Sequence, residues 1–272
     1  MIDLDQAEER LAILRDWFSS FTAGFSLDNE EDQRNIHLKI KHTHEVCINI
    51  TRIAQGETCE RSKVLTAEAV GLLHDIGRFP QYARFRTFDD RISINHGELG
   101  AEIISSTGIL SAFPPGEQAI ISHAVRFHNA FSSPKSDDPE KTFFLNLIRD
   151  ADKLDIWRVF IEYFSSSSAE RPSAAALGLP QLNGYSDAVL SCVLRRQVVP
   201  ISKVKSLNDY KLLQLSWIYD LHFKTSYSLL IERAIIDKMT SHLPPTKEIQ
   251  QLSDSLKHFA HTMGAEPPSM PK

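Results

Sequence analysis

The chain of 272 residues has a formal net charge of −5, with 42 % hydrophobic and 24 % charged residues. These values are typical of globular proteins and exclude collagen-like chains, long coiled-coil rods and small disulfide-rich domains. A weakly acidic chain without a basic run also lacks the positive surface that general nucleic-acid binding needs. The three cysteines lack CxxC spacing, the N-terminus is acidic, and no apolar run is long enough to span a membrane, so we expect a cytoplasmic protein.

Apolar residues recur at helical spacing rather than in alternation, which predicts an all-α protein. The mixed aromatic and charged stretch over residues 78–95 is expected to be a loop. In chain order, helices are expected at about 5–22, 33–55, 62–76, 96–107, 116–128, 141–162, 184–196, 206–222, 224–242 and 246–262.

Four regions follow from this pattern. Residues 1–163 are expected to form a helical domain, and residues 164–182, which include a run of four serines, are expected to be a linker. A C-terminal helical region over 183–262 should pack on the first domain. The tail over 263–272 contains three prolines and is expected to be disordered.

His42 is the first histidine that lies on an apolar helical face. Val46, Asn49 and Ile53 follow it at the spacing of one helix face, so its side chain should face the core. Alone, such a histidine is more often a hydrogen-bonded core residue than a ligand.

The adjacent pair His74 and Asp75 follows an apolar helical run. A carboxylate buried beside an imidazole is unfavourable unless a positive group compensates it, and a divalent cation binds both ligand types well. A histidine near a helix C-terminus needs no metal, because the helix dipole favours positive charge there. An aspartate is disfavoured at the same place, which supports a metal site.

Three further candidates occupy apolar helical segments: His96, His123 and Asp152. A solvated acidic face is the alternative for the Asp150–Asp155 cluster, and it suits Asp155 better than Asp152. Helix bundles build metal sites from side chains that several helices donate inward. All six residues could hold two metals, whereas a single ion would need only His42, His74, Asp75 and Asp152.

The ordered motifs resemble those of the HD superfamily of metal-dependent phosphohydrolases, over about residues 36–160. The resemblance rests on His42-Thr43, on the doublet His74-Asp75 in the form HDIG, and on Asp150-Ala151-Asp152. It implies an HD-domain helical bundle, which would occupy the predicted first domain and carry additional C-terminal helices. His96-Gly97 and His123 resemble the extra histidines of dinuclear members.

The resemblance also implies roles for individual residues. One or two divalent ions (Mn, Fe, Ni, Mg or Zn) would bind the metal ligands His42, His74, Asp75, His96, His123 and Asp152. Asp75 would bridge or orient the nucleophilic water, and Arg78 would hold phosphoryl oxygens, although a surface pair with Asp89 or Asp90 is an equal alternative for it. Further substrate-binding candidates are Arg126, His128 and Lys153. His128 follows His123 by about 140° around a helix, so we do not expect it to be a ligand.

The expected reaction is metal-activated attack of water on the phosphorus of a small phosphate ester, such as a nucleotide. The same ligand types also resemble the HD-type di-iron oxygenases. A third interpretation is a nucleotide-sensing module without catalysis. Nucleic-acid and membrane partners are not expected, and a homodimer is possible.

Overall fold

A computed structural model describes residues 4–167 and 171–265. These two ranges are helical and contain no β-strand, which confirms the predicted all-α class. The α-helices are, in chain order, α1 (Leu4–Ala23), α2 (Glu30–Gly56), α3 (Arg61–Leu73), α4 (Arg78–Phe85), α5 (His96–Thr107), α6 (Pro115–Phe127), α7 (Pro139–Ser165), α8 (Asp187–Leu194), α9 (Leu207–Ser216), α10 (Lys224–Glu232), α11 (Ile235–Thr240) and α12 (Lys247–Ala265).

The expected loop over residues 78–95 contains a helix, α4. Phe79 and Tyr82 are buried on one side of it, and the helix ends where Arg86 adopts a left-handed conformation with φ of 53°. Eight residues make only about two turns, which is too short for a clear 3.6-residue period. The expected helix over 224–242 is also divided, because Ala234 has a φ of 50° between α10 and α11.

Two compact units make up the chain, and the division falls within α7, between Asp152 and Lys153. The first unit comprises the described part of residues 1–152 together with Pro172–Leu177. In it, α2 packs against α3, which also contacts α1 and α6, while α5 packs against α6. The apolar faces of these helices form a buried core that contains Leu14, Ile50 and Val70.

The second unit comprises the described part of residues 153–171 and 178–272. Its helix α12 packs on α10 and α11, and α8 packs on α9. The buried Trp157 donates a hydrogen bond from Nε1 to the carbonyl oxygen of Gln214 at 3.2 Å. No helix in the described ranges combines the length and the apolar composition needed to cross a bilayer.

The predicted domain boundaries stay predictions. Helix α12 continues through residues 263–265, and the rest of the expected tail, 266–272, lies outside the described residues. Residues 168–170 of the expected linker also lie outside them. A short 3-10 helix, Ser173–Ala176, occupies part of that linker.

Candidate metal centre

Helix α2 positions His42. Asn29 caps the helix by accepting hydrogen bonds from the backbone N–H groups of Glu31 and Asp32. The apolar stripe predicted from the sequence is buried, and His42 lies on it with 2 % of its surface exposed. Asn49 on the same stripe donates to the carbonyl oxygen of Ala151 at 3.2 Å, which ties α2 to α7 beside Asp152.

Helix α3 positions the doublet His74 and Asp75 at its C-terminal end. Gly71 allows α2 to approach closely, because a Cβ at this position would lie 3.1 Å from the Ile50 side chain and 3.3 Å from the Cα of Cys47. His74 caps the helix and is fully buried. The close packing brings the doublet to the His42 side of α2.

Three side chains from three helices form a first group of ligand atoms, His42, His74 and Asp152. The Nε2 atom of His42 lies 3.1 Å from Oδ1 of Asp152 and 3.2 Å from Nε2 of His74. The third side of the triangle, between Nε2 of His74 and Oδ1 of Asp152, is 3.8 Å. These separations suit donors that surround one cation.

A second group contains Asp75, His96 and His128. The Nε2 atoms of His96 and His128 are 3.0 Å apart. Oδ1 of Asp75 lies 3.3 Å from the first of these nitrogens and 3.7 Å from the second. All three residues are buried.

Asp75 connects the two groups through its two carboxylate oxygens. Oδ1 faces the second group, while Oδ2 lies 3.5 Å from Nε2 of His42 and 3.7 Å from Nε2 of His74. A carboxylate that presents one oxygen to each of two ligand groups is placed to bridge two cations.

Hydrogen bonds at the opposite ring nitrogen, Nδ1, orient three of these histidines: His74 to the carbonyl oxygen of Gly71 at 2.7 Å, His128 to that of Val125 at 2.8 Å, and His96 to Oδ2 of Asp90 at 2.7 Å. Carbonyl and carboxylate oxygens accept hydrogen bonds, so each Nδ1 carries the proton and each Nε2 presents a lone pair. The Nε2 lone pairs therefore face one another and the carboxylates. Such contacts between acceptors are repulsive without a cation, so the donor set fits divalent metal ions.

The pKa values of the buried groups agree with this assignment. Burial lowers the pKa of His74 to about 4 and that of His96 to about 3, so both imidazoles are neutral near pH 7. Burial acts to raise the pKa of Asp75, but Lys39 and its other neighbours hold it well below its usual value. Neutral imidazoles and ionised carboxylates are the forms that bind metals.

The structure brings together five of the six predicted ligands and puts His128 in the place expected for His123. The ring of His123 packs on Phe127 at 4.9 Å between centroids and is in neither ligand group. The two histidines lie on different sides of α6, so only one of them can face Asp75. His128 continues the buried stripe of Ile121 and Ala124 at helical spacing, and that pattern in the sequence identifies the inward face.

The predicted substrate-binding residues fall in different places. Arg78 lies beside the centre, with Nε 3.5 Å from Oδ1 of Asp75, and also pairs with Asp90 at 3.0 Å. Arg126 is exposed and pairs with Glu98 at 3.5 Å. Lys153 belongs to the second unit, where its Nζ lies 2.5 Å from Oδ2 of Asp220.

Lys39 is a cation that the sequence analysis did not select. Its Nζ lies 2.7 Å from Oδ2 of Asp75. It stands three residues before His42, on the adjacent turn of α2, and this spacing is the only signal in the sequence that could have found it. Lys39 and Arg78 thus contact opposite oxygens of the same carboxylate.

Asp90, considered only as a partner of Arg78, connects several residues around the centre. Its Oδ1 accepts hydrogen bonds from Arg78 and Gln81, and its Oδ2 accepts from His96 and from Asn129 at 3.0 Å. The contact with Nδ1 holds the His96 ring with its Nε2 toward Asp75. Carboxylates that orient a ligating histidine raise its affinity for metal.

We expect Asp90→Asn to weaken Mn²⁺ binding by about 10- to 100-fold, because an amide nitrogen would replace one acceptor oxygen among four donors. Titration calorimetry with Mn²⁺ measures the effect. Glu98→Gln is the matched control, since this carboxylate on α5 pairs with Arg126 instead. Equal affinities of the two variants would contradict the positioning role.

Residues 40–157, somewhat under half of the chain, match the sequence model of the HD domain. This match confirms the resemblance to the HD superfamily. It does not test whether the chain belongs to the HDIG subtype, which stays a resemblance. Members of this family bind divalent metals and are mostly metal-dependent phosphohydrolases, which indicates hydrolase-type activity. No curated protein and no solved structure matches the chain.

Proposed function

We propose that this protein is a metal-dependent phosphohydrolase that acts on a small phosphate ester, such as a nucleotide. The observation that carries the proposal is Asp75, a buried carboxylate with one oxygen toward each of two ligand groups and a cation beside each oxygen. His42, His74 and Asp152 would hold one ion, and His96 and His128 the other, with Asp75 shared between them.

Divalent ions in such a centre lower the pKa of water and offset the charge of phosphoryl oxygens. Asp75 is ionised at neutral pH and would orient the attacking water by accepting its hydrogen bond. Arg78 and Lys39 would bind phosphoryl oxygens and stabilise the negative charge that develops there. Arg78 is held for this task by the carbonyl oxygen of Phe88 at 2.6 Å.

A compact ester is favoured over a long nucleic acid. The cations near the centre, Lys39 and Arg78, are few and have only 15 % of their side-chain surface exposed each. The chain as a whole carries an excess of acidic residues. A polyanion would need an extended basic surface for its phosphates.

The direct test measures phosphate release from a panel of phosphomonoesters and phosphodiesters with Mn²⁺, Fe²⁺, Ni²⁺ or Mg²⁺. We expect His74→Ala to lower turnover by more than about 100-fold, because loss of a ligand costs at least as much as loss of its supporting carboxylate. His44→Ala is the matched control. His44 lies on α2 two residues after His42, is exposed, and packs on Phe18.

The same preparation separates the hydrolase from its two alternatives. Bound iron together with consumption of dioxygen would instead assign an oxygenase. Nucleotide binding without turnover under any of the four metals would assign a sensing module. Either result would overturn the hydrolase proposal.

A further inference from the structure

The second unit contains a cavity of about 520 Å³ that the proposed reaction does not use. Its volume lies within the range of small-molecule sites, about 300–1,000 Å³. All of its lining residues belong to the second unit, and none of them is acidic. The polar and aromatic groups around it are Tyr163, Phe164, Arg171, Gln181, Lys211 and His242.

Lys211 is a buried cation at this cavity, with 2 % of its surface exposed. Its Nζ donates to Oδ1 of Asn208 at 3.0 Å and to the carbonyl oxygen of His242 at 2.6 Å, and it lies 4.2 Å from the centroid of the Phe164 ring. No carboxylate contacts it within the described residues. Asp209, two residues earlier on α9, instead accepts hydrogen bonds from Ser186 and from the backbone N–H of Lys205.

Arg171 is the second cation of the cavity. Its guanidinium donates to the backbone carbonyl oxygens of Ser166 and Phe164 and lies 5.1 Å from the centroid of the Tyr163 ring. Within the described part of the chain, no carboxylate pairs with it. Backbone carbonyls orient the guanidinium without neutralising its charge.

The two cations repel one another, and no carboxylate among the described residues pairs with either of them. Burial and the charge of Arg171 together lower the pKa of Lys211 to about 8, so the lysine is still mostly protonated at pH 7. Burial and the same two cations lower the pKa of His242. A buried positive charge without a counter-charge is unfavourable, and a bound anion would remove that cost.

We propose that this cavity of the second unit binds a small dianion, a phosphate-bearing metabolite, between Arg171 and Lys211. Two positive charges match the charge of a phosphate group, and arginine presents paired N–H donors to its oxygens. The hydroxyl of Tyr163 and the ring nitrogens of His242 hydrogen-bond to none of the described residues, which leaves them available to a ligand. The aromatic rings of Tyr163 and Phe164 offer surface to the remainder of the molecule.

The test measures the binding of the probe, inorganic pyrophosphate, to the metal-free chain of 272 residues at pH 7 by titration calorimetry. We expect the wild-type protein to bind pyrophosphate saturably. The affinity should be at least about 10-fold lower in Arg171→Gln and in Lys211→Met, because each variant loses one charge-assisted hydrogen bond to the probe. Acetate, a monoanion, should bind more weakly than pyrophosphate. Arg171→Gln removes contacts to two backbone carbonyls and to the Tyr163 ring, and breaks no ion pair among the described residues, so it keeps the test valid if Lys211→Met does not fold.

Two control variants locate the bound anion. Lys205→Gln removes an exposed lysine of the same unit and should leave the affinity unchanged. His74→Ala alters the metal centre and should also leave it unchanged, so this result is independent of the proposed hydrolase activity. The proposal is overturned if wild-type protein does not bind pyrophosphate, if Arg171→Gln binds it equally well, or if His74→Ala abolishes binding.

Discussion

His128→Ala is expected to lose the ion held by Asp75, His96 and His128, whereas His123→Ala should keep the metal content of the wild type. The Nε2 atom of His128 lies 3.0 Å from that of His96, and its ring is held by Val125. Loss of a ligand should weaken Mn²⁺ binding by at least about 100-fold, more than the loss of a supporting residue. Elemental analysis and calorimetry of both purified variants measure the difference.

The two variants are matched because each removes one imidazole from α6 or its cap. His123 is half-buried, contacts Phe127 and lies in neither ligand group, so its removal should change local packing and leave both ligand groups intact. A protein that loses metal with His123→Ala and keeps it with His128→Ala would show that the original expectation from the sequence was right. Thermal unfolding of both variants confirms that each is folded.

Gly77→Ala is expected to lower the free energy of unfolding by about 2–3 kcal/mol, the cost of forcing extra volume into a packed site. A Cβ on Gly77 would lie 2.2 Å from the carbonyl oxygen of His96 and 2.9 Å from the backbone nitrogen of Gly100. Both atoms are backbone, so no side chain can rotate away. The first turn of α4 would therefore have to move away from the first turn of α5, which carries His96. Urea denaturation measures the change.

Gly116→Ala is the control for this substitution. Gly116 also lies near a helix start, in α6, but a Cβ there would meet no atom within 4 Å. We expect its free energy of unfolding to stay within about 1 kcal/mol of wild type, since only chain entropy and helix propensity change. Equal stability of the two variants would mean that α4 and α5 do not require the close approach.

Gly77→Ala is also expected to weaken metal binding. His96 begins α5 directly opposite Gly77, and its Nε2 lies 3.3 Å from Oδ1 of Asp75. Displacement of α5 would lengthen that separation and weaken the second ligand group, while the first group would be less affected. The glycine of the doublet motif therefore serves helix packing rather than backbone conformation, because its φ of −66° is accessible to any residue.

The helical class, the apolar faces of α2 and α3, and the inward direction of His42, His74 and Asp152 could be predicted from the sequence. Each is a local property, because the helical period relates a residue to neighbours three or four positions away. The family motifs are local for the same reason. Asp75 could also be selected without tertiary information, because burying a carboxylate beside a histidine in an apolar run is unfavourable unless a cation compensates it.

Only the tertiary structure decided that Lys39 and Asp90 contact the centre. Those contacts join residues distant along the chain: Lys39 reaches Asp75 from α2, and Asp90 reaches His96 and Asn129 from the segment after α4. The periodicity of one helix specifies relative directions on that helix. The direction that faces the metal centre depends on how the helix packs against the others, and long-range contacts determine that packing.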